Sequence, residues 1–137
     1  ELGHVVDQAR RLGRTADPVV RQRLAALWSR VRIMRWNALR SLRVDEHVEL
    51  PREAMINKLY WAGLHRDMGE AAMDVLGPEA LLTRYSQAEE GDAGDLEMSS
   101  DHKLFFFSRA DTIYGGSDEI QRNVIGERAL GLPREPR

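Results

Sequence analysis

Cysteine is absent from the 137 residues. This excludes disulfides, thiolate metal sites and a cysteine nucleophile, and says little about compartment. Lysine is nearly absent: Lys58 and Lys103 stand against 18 arginines. The bias reads as a GC-rich coding genome; the alternative is arginine chosen throughout for bidentate contacts. Long hydrophobic runs are lacking, and none comes near the roughly 18 residues of a membrane span. No basic segment followed by an apolar one marks a signal peptide, so a cytoplasmic location is expected. Charge of one sign is not in excess. The net charge is −2, and no bulk positive field points to nucleic acid or an anionic membrane. An initiating methionine is lacking too. Glu1 is followed by LGHVVDQARRLG, which reads as the middle or end of a helix. The expectation is one domain, residues 1–137, from a longer protein, its first helix truncated.

Hydrophobic residues make up 42% and charged residues 31%, a soluble globular balance. A chain of this size buries about two-thirds of the surface its unfolded form exposes, enough for a core without staples. The apolar residues recur at helical spacing. Leu2, Val5, Val6, Ala9 and Leu12 mark a first helix that Gly13 ends. Asp17 and Pro18 are a strong start for a second. Its stripe of Val20, Leu24, Leu27, Val31, Met34, Ala38 and Leu42 extends to about Arg43. Trp28, Ile33, Trp36 and Leu39 widen the stripe, which predicts burial on more than one side. Seven arginines and no acid lie between Asp17 and Asp45; a solvated or subunit-facing stripe is favoured over a phosphate-binding face.

A third helix is expected over Arg52–Leu76, with Leu64, Met68, Ala71 and Val75 as its clearest face and Gly77-Pro78 as its stop. Residues 86–101 carry six acids and no base and read as an exposed, mobile connector. Ser99 or Ser100 caps the next helix, which holds Phe105, Phe106 and Phe107. Three adjacent phenylalanines face three directions, so one meets a ligand, another subunit or another domain, or the helix is buried all round. Gly115-Gly116 breaks it. Ser117 or Asp118 caps a last helix with Ile120, Val124, Ile125, Ala129 and Leu130 on its apolar side. No segment has a persuasive strand pattern. The fold class is all-α: an antiparallel four-helix bundle plus a short C-terminal helix.

Bundles often house metals, but the Glu-x-x-His pattern of di-iron bundles occurs only at Glu1 and His4, so no metal site is assigned. The four histidines read as surface or hydrogen-bonded residues. Neither Gly-x-Ser-x-Gly nor a Walker loop is present. Tyr114-Gly115-Gly116-Ser117 stands out. A glycine pair exposes backbone N–H groups and permits close approach, and the following helix start favours negative charge. Either a planar or carbonyl-bearing ligand sits there, or the pair is a plain turn.

Residues 112–133, Thr-Ile-Tyr-Gly-Gly-Ser-Asp-Glu-Ile-Gln-Arg-Asn-Val-Ile-Gly-Glu-Arg-Ala-Leu-Gly-Leu-Pro, resemble the C-terminal signature of the acyl-CoA dehydrogenase family. The upstream helix order fits as well, so the resemblance covers essentially the whole chain. It implies the C-terminal helical domain of an FAD-dependent bacterial enzyme that desaturates an acyl-CoA substrate between Cα and Cβ. A carboxylate takes the α-proton and the flavin takes a hydride. It also implies a homo- or hetero-oligomer, dimer or tetramer, and electron-transferring flavoprotein as redox partner. The fragment alone is expected to be inactive.

The resemblance assigns roles residue by residue. Many members carry their catalytic Glu where this chain has Gly115. A glycine takes no proton, but its backbone N–H still suits the thioester carbonyl. Gly116 keeps the tight approach, Ser117 keeps a hydroxyl toward FAD, and Glu119 stands where a flavin-contacting residue occurs. The family's Arg-x-x-Phe-Gly segment, which reaches a neighbour's FAD pyrophosphate, survives only as Arg10-Arg11-Leu12-Gly13, with Arg11 as the candidate. The glycine-rich turn after the third helix survives as Leu76-Gly77-Pro78, with Gly77 as the candidate. The missing base has three explanations: a Glu on the first helix ahead of Glu1, a partner subunit that supplies it, or another acid elsewhere. Asp111 and Asp118 are the nearest acids and read as a helix-surface residue and a cap. The alternative function is a non-catalytic assembly subunit of a hetero-oligomeric acyl-CoA dehydrogenase.

Overall fold

The computed structural model describes residues 1–42, 51–82, 84–85 and 96–134. Among these, α1 is Leu2–Arg11, α2 Pro18–Ser41, α3 Arg52–Met55, α4 Asn57–Leu76, α5 Ser100–Ala110 and α6 Asp118–Val124. Arg43, His47 and most of the acidic segment 86–101 lie outside the described residues.

The helix boundaries follow from local chemistry. Asp17 accepts from the Val19 N–H at 2.8 Å, and Pro18 at the first helical position loses no bond. Ser99 caps α5 by accepting from the His102 N–H at 3.2 Å. Gly13, with φ 65°, follows the end of α1, and Gly77, with φ 63°, stops α4; both are left-handed positions suited to glycine.

α4 is the centre of the bundle. α2 lies antiparallel to it: Arg23 pairs with Asp74, Arg30 with Asp67 at 2.5 Å, and Asn37 with Asn57 at 2.6 Å. α5 is antiparallel on another side, with His65 bonded to Asp111 and His102 to the Ala80 carbonyl. α1 runs parallel to α4 and antiparallel to α5, since Glu1 lies beside His65 while His4 bonds Asp101. The core joins Val5 and Ala9, then Val20, Leu24 and Leu27, with Leu64, Met68, Ala71, Ala72, Val75 and Leu104. Gly69 lets α5 touch α4: a Cβ there would lie 2.9 Å from Phe105 Cα. This is the expected four-helix, all-α architecture with a short helix at its C-terminal end.

Five expectations are corrected. The helix expected over Arg52–Leu76 is interrupted at Ile56, where φ −81° and ψ −14° make a tighter turn between α3 and α4. The second half of α2 is not buried on several sides. Trp28 is 54% and Trp36 60% exposed, and Ile33, Leu39 and Leu42 are exposed with them, because α4 covers one face of α2 and these side chains lie off that face. A two-residue antiparallel ladder pairs Arg84 with Glu97 and Tyr85 with Leu96; two rungs are too short for a period-2 pattern to show. The last helix gives way after Val124 to a wider π turn over Ile125–Ala129, and of its apolar side only Ala129 is buried. Asp111 is not a surface residue but is fully buried. Around Phe105, α5 is not enclosed on all sides, since Phe106 and Phe107 are more than half exposed.

Candidate functional site

α5 ends in a run of tight turns. The Ile113 and Tyr114 N–H groups both bond the Ala110 carbonyl, at 2.9 and 3.0 Å. The chain then reverses through Gly115 and Gly116, with φ 70° and 100°. Two successive left-handed residues are costly for anything but glycine. At Gly116 a Cβ would also meet Gln121 Nε2 at 2.9 Å.

Side chains hold this turn by its carbonyls. Gln121 Nε2 donates to the Gly115 carbonyl at 2.7 Å and Lys58 Nζ to the Gly116 carbonyl at 2.5 Å. The N–H groups of Gly115 and Gly116 have no hydrogen-bond partner among the described residues. The turn therefore keeps its donors unpaired among the described residues while its acceptors are satisfied. Ser117 is the N-cap residue of α6, although its side chain bonds no helix N–H. Asp118 is the first residue of the helix rather than its cap.

The Glu119 carboxyl is held below the ordinary 4.5, first by its own backbone N–H and then by the Ser117 hydroxyl; slight desolvation opposes this and Arg122 adds a smaller attraction. A depressed carboxylate favours the folded state above its ordinary value, and that contribution is lost as pH falls below it. Ser117→Ala is expected to raise the Glu119 midpoint, read by carboxyl NMR titration. An unmoved midpoint would remove the hydroxyl as a cause.

Behind the turn lies a buried relay. Asp111 accepts from the Tyr114 hydroxyl at Oδ1 and from His65 Nδ1 at Oδ2. The bond to Asp111, with lesser help from desolvation and the Asp111 charge, holds the Tyr114 phenol above its usual 10.0. Trp61 stacks on the His65 ring at 5.4 Å. His65 Nε2 lies 3.2 Å from a Glu1 carboxylate oxygen without hydrogen-bond alignment. It faces a cavity of about 470 Å³ bordered by His4, Ser100, Lys103, Leu104 and Phe107.

The structure divides the residues singled out from the sequence. Gly115, Gly116, Ser117 and Glu119 cluster beside Lys58, at the start of α4. Gly77 lies at its other end, roughly 27 Å away at 1.5 Å per helical residue. Arg11 is exposed and, among the described residues, bonds Gln8 alone. The arginine beside Gly77 is Arg14: its Nη2 bonds the Asp74 carbonyl at 3.2 Å, and its buried Nε has no partner among the described residues. Arg14 borders a groove of about 240 Å³ with Asp17, Arg23 and Asp74.

Sequence reasoning missed Lys58, Gln121, His65, Asp111 and Arg14. Lys58 left one signal, as a lysine in a chain that otherwise writes its cations as arginine. Among the described residues no helix is long and apolar enough to cross a membrane, and no three acidic or histidine side chains converge as a metal site.

Residues 1–130 match the family model for the acyl-CoA dehydrogenase C-terminal domain. The chain belongs to the acyl-CoA dehydrogenase family. It is 44% identical over 135 residues to acyl-CoA dehydrogenase IpdE1 of Mycobacterium tuberculosis, covering 98% of this chain and 32% of that protein. To the IpdE1 of Mycolicibacterium smegmatis it is 43% identical, covering 31% of that protein. This acyl-CoA dehydrogenase chain therefore spans about a third of its curated relatives' length. Two solved structures share the fold. The Tcur3481-Tcur3483 steroid ACAD aligns at TM-score 0.75 and 24% identity, over 98% of this chain and 34% of that one. The ChsE4-ChsE5 complex from Mycobacterium tuberculosis aligns at TM-score 0.68 and 21% identity, over 99% of this chain and 36% of that one.

Proposed function

We propose that this chain is the C-terminal helical domain of a longer, cytoplasmic, FAD-dependent acyl-CoA dehydrogenase acting on a fatty, branched or sterol-side-chain acyl-CoA. The observation that carries the reading is the Gly115–Gly116 turn. Its two N–H groups are unpaired among the described residues, Gln121 holds the peptide that carries the second of them, and the pair suits a thioester oxygen that gains charge as the α-proton leaves. Gly116 leaves room for close approach. Ser117 and Glu119 are the side chains that would meet the flavin. When bound, FAD supplies the hydride acceptor; the residues of this domain orient the thioester and border the cofactor.

The fit to FAD is partial within one copy. Gly77 and either Arg11 or Arg14 stand at the opposite end of α4 from Ser117. The two groups serve one cofactor only if two subunits contribute, which supports an oligomer with shared sites.

The base comes from outside these residues. Gly115 has no side chain, and both Asp111 oxygens are already bonded. α1 is antiparallel to α5 with Glu1 beside the His65–Asp111 pair. A carboxylate on a helical segment ahead of Glu1 would therefore approach the Tyr114 turn. A second reading follows from Gly115 and Pro78: a non-catalytic subunit of a hetero-oligomer, whose partner supplies the base.

The test uses the full-length protein, purified alone and co-expressed with a paralogue that carries Glu at the Gly115 position. A flavin absorbance band that bleaches with acyl-CoA thioesters is expected. Bleaching only in the co-expressed complex selects the assembly reading. A protein colourless in both preparations defeats both readings. Electron-transferring flavoprotein is the expected acceptor for the reoxidation arm.

A further inference from the structure

The Gly115 N–H belongs to the peptide that begins at Tyr114, so its direction depends on how Tyr114 is held. Gln121 and Lys58 fix the carbonyls that follow. Neither restrains the peptide before them. Gly115 and Gly116 have no side chains of their own, and glycine backbone moves freely between wells. Upstream, the Tyr114 N–H bonds the Ala110 carbonyl and the Thr112 hydroxyl the Arg109 carbonyl; the side-chain anchor on Tyr114 itself is its hydroxyl on Asp111.

That anchor leads into α4. An ionised carboxylate only accepts, so Tyr114 O–H and His65 Nδ1–H both donate to Asp111, and such charge-assisted bonds are among the stronger kinds. His65 is 6% exposed and stacked by Trp61, one helical turn away. Tyr114 is otherwise half exposed, with Phe107 as its one aromatic neighbour among the described residues, at 6.5 Å. A buried carboxylate–histidine pair is a weak source of stability, because apolar residues of similar size fill such a site at less desolvation cost. What it supplies is direction.

We propose that Asp111 and His65 are positioning residues for acyl-thioester binding: through Tyr114 they aim the Gly115 N–H at the thioester carbonyl. This rests on the function proposed above.

The test uses the flavin-loaded full-length protein with two ligands: a reactive acyl-CoA thioester and the matching thioether, which lacks the carbonyl. In Tyr114→Phe, kcat/KM for the thioester is expected to fall roughly tenfold, the scale of one misdirected hydrogen bond. The inhibition constant of the thioether and the flavin content are expected to stay as in wild type. Asp111→Leu, which fills the site without an acceptor, is expected to show the same selective loss, and Asp111→Asn, which keeps an acceptor for the Tyr114 hydroxyl, to rescue most of it; an undiminished thioester rate in Asp111→Leu would overturn the proposal. Equal losses for thioester and thioether would show a general structural role and overturn the proposal, as would unchanged thioester kinetics in Tyr114→Phe. A wild-type protein that binds no flavin or ignores thioesters fails earlier, and then it is the underlying function that is overturned.

Discussion

Asp111→Ala is expected to lower the unfolding free energy of the chain by about 3 kcal/mol, the upper scale of leaving a buried hydrogen-bond donor unsatisfied. Asp111 has no exposed surface, and its partner His65 is buried in the core face of α4. Removing the carboxylate leaves the His65 Nδ1–H without an acceptor. The Tyr114 hydroxyl loses its partner too, but Tyr114 is half exposed and finds water, so the histidine carries most of the cost. Urea denaturation measures the effect as a shifted midpoint at constant slope. His65→Ala in the same background should then cost far less than in wild type, since the orphaned donor is gone. A loss under about 1 kcal/mol for Asp111→Ala would mean the pair is not closed in solution.

Gly69→Val is the second large effect, expected to cost about 3 kcal/mol through overpacking. A Cβ at Gly69 would lie 2.8 Å from Ser108 Oγ, 2.9 Å from Phe105 Cα and 3.2 Å from the Leu104 carbonyl. Two of these three atoms are backbone, so no rotamer change clears the space and α5 must move. Gly63 on the same helix is the control. A Cβ there meets only the tip of Arg30, at 3.8 Å. Gly63→Ala should therefore show helix propensity alone and stabilise by roughly 0.5–1 kcal/mol. Thermal denaturation of the two variants should shift in opposite directions. Shifts of the same sign would mean that α4 and α5 do not meet closely at Gly69.

These effects show what the sequence could and could not disclose. Features encoded within a few residues were legible. Asp17-Pro18 starts a helix, Ser99 caps one, Gly77 ends one, and Leu64, Met68, Ala71 and Val75 share one buried face. The run from Thr112 to Pro133 identified the family because a single segment holds the whole pattern. Asp111 was misread because its partner His65 is 46 residues away; only the crossing of α4 and α5 brings them together. The α2 tryptophans were misread for a related reason. Periodicity reports which side of a helix is apolar, not whether anything covers it. Arg14 went unnoticed because motif spacing ignores Gly13, whose left-handed turn carries the chain on to Gly77.

The π turn over Ile125–Ala129 has a consequence for the C-terminal end. The Leu130 N–H bonds the Ile125 carbonyl five residues back, at 3.1 Å, so this turn takes up one residue more than an α turn. The side chains within it are rotated out of phase with those of α6. Ile120 and Val124 set one angular origin and Ala129 obeys another, as a screw does when its thread is cut afresh. Deleting a single residue within 125–129 would restore the ordinary thread and swing Ala129 off the bundle. The length of this segment, more than its hydrophobicity, fixes where the chain finally docks.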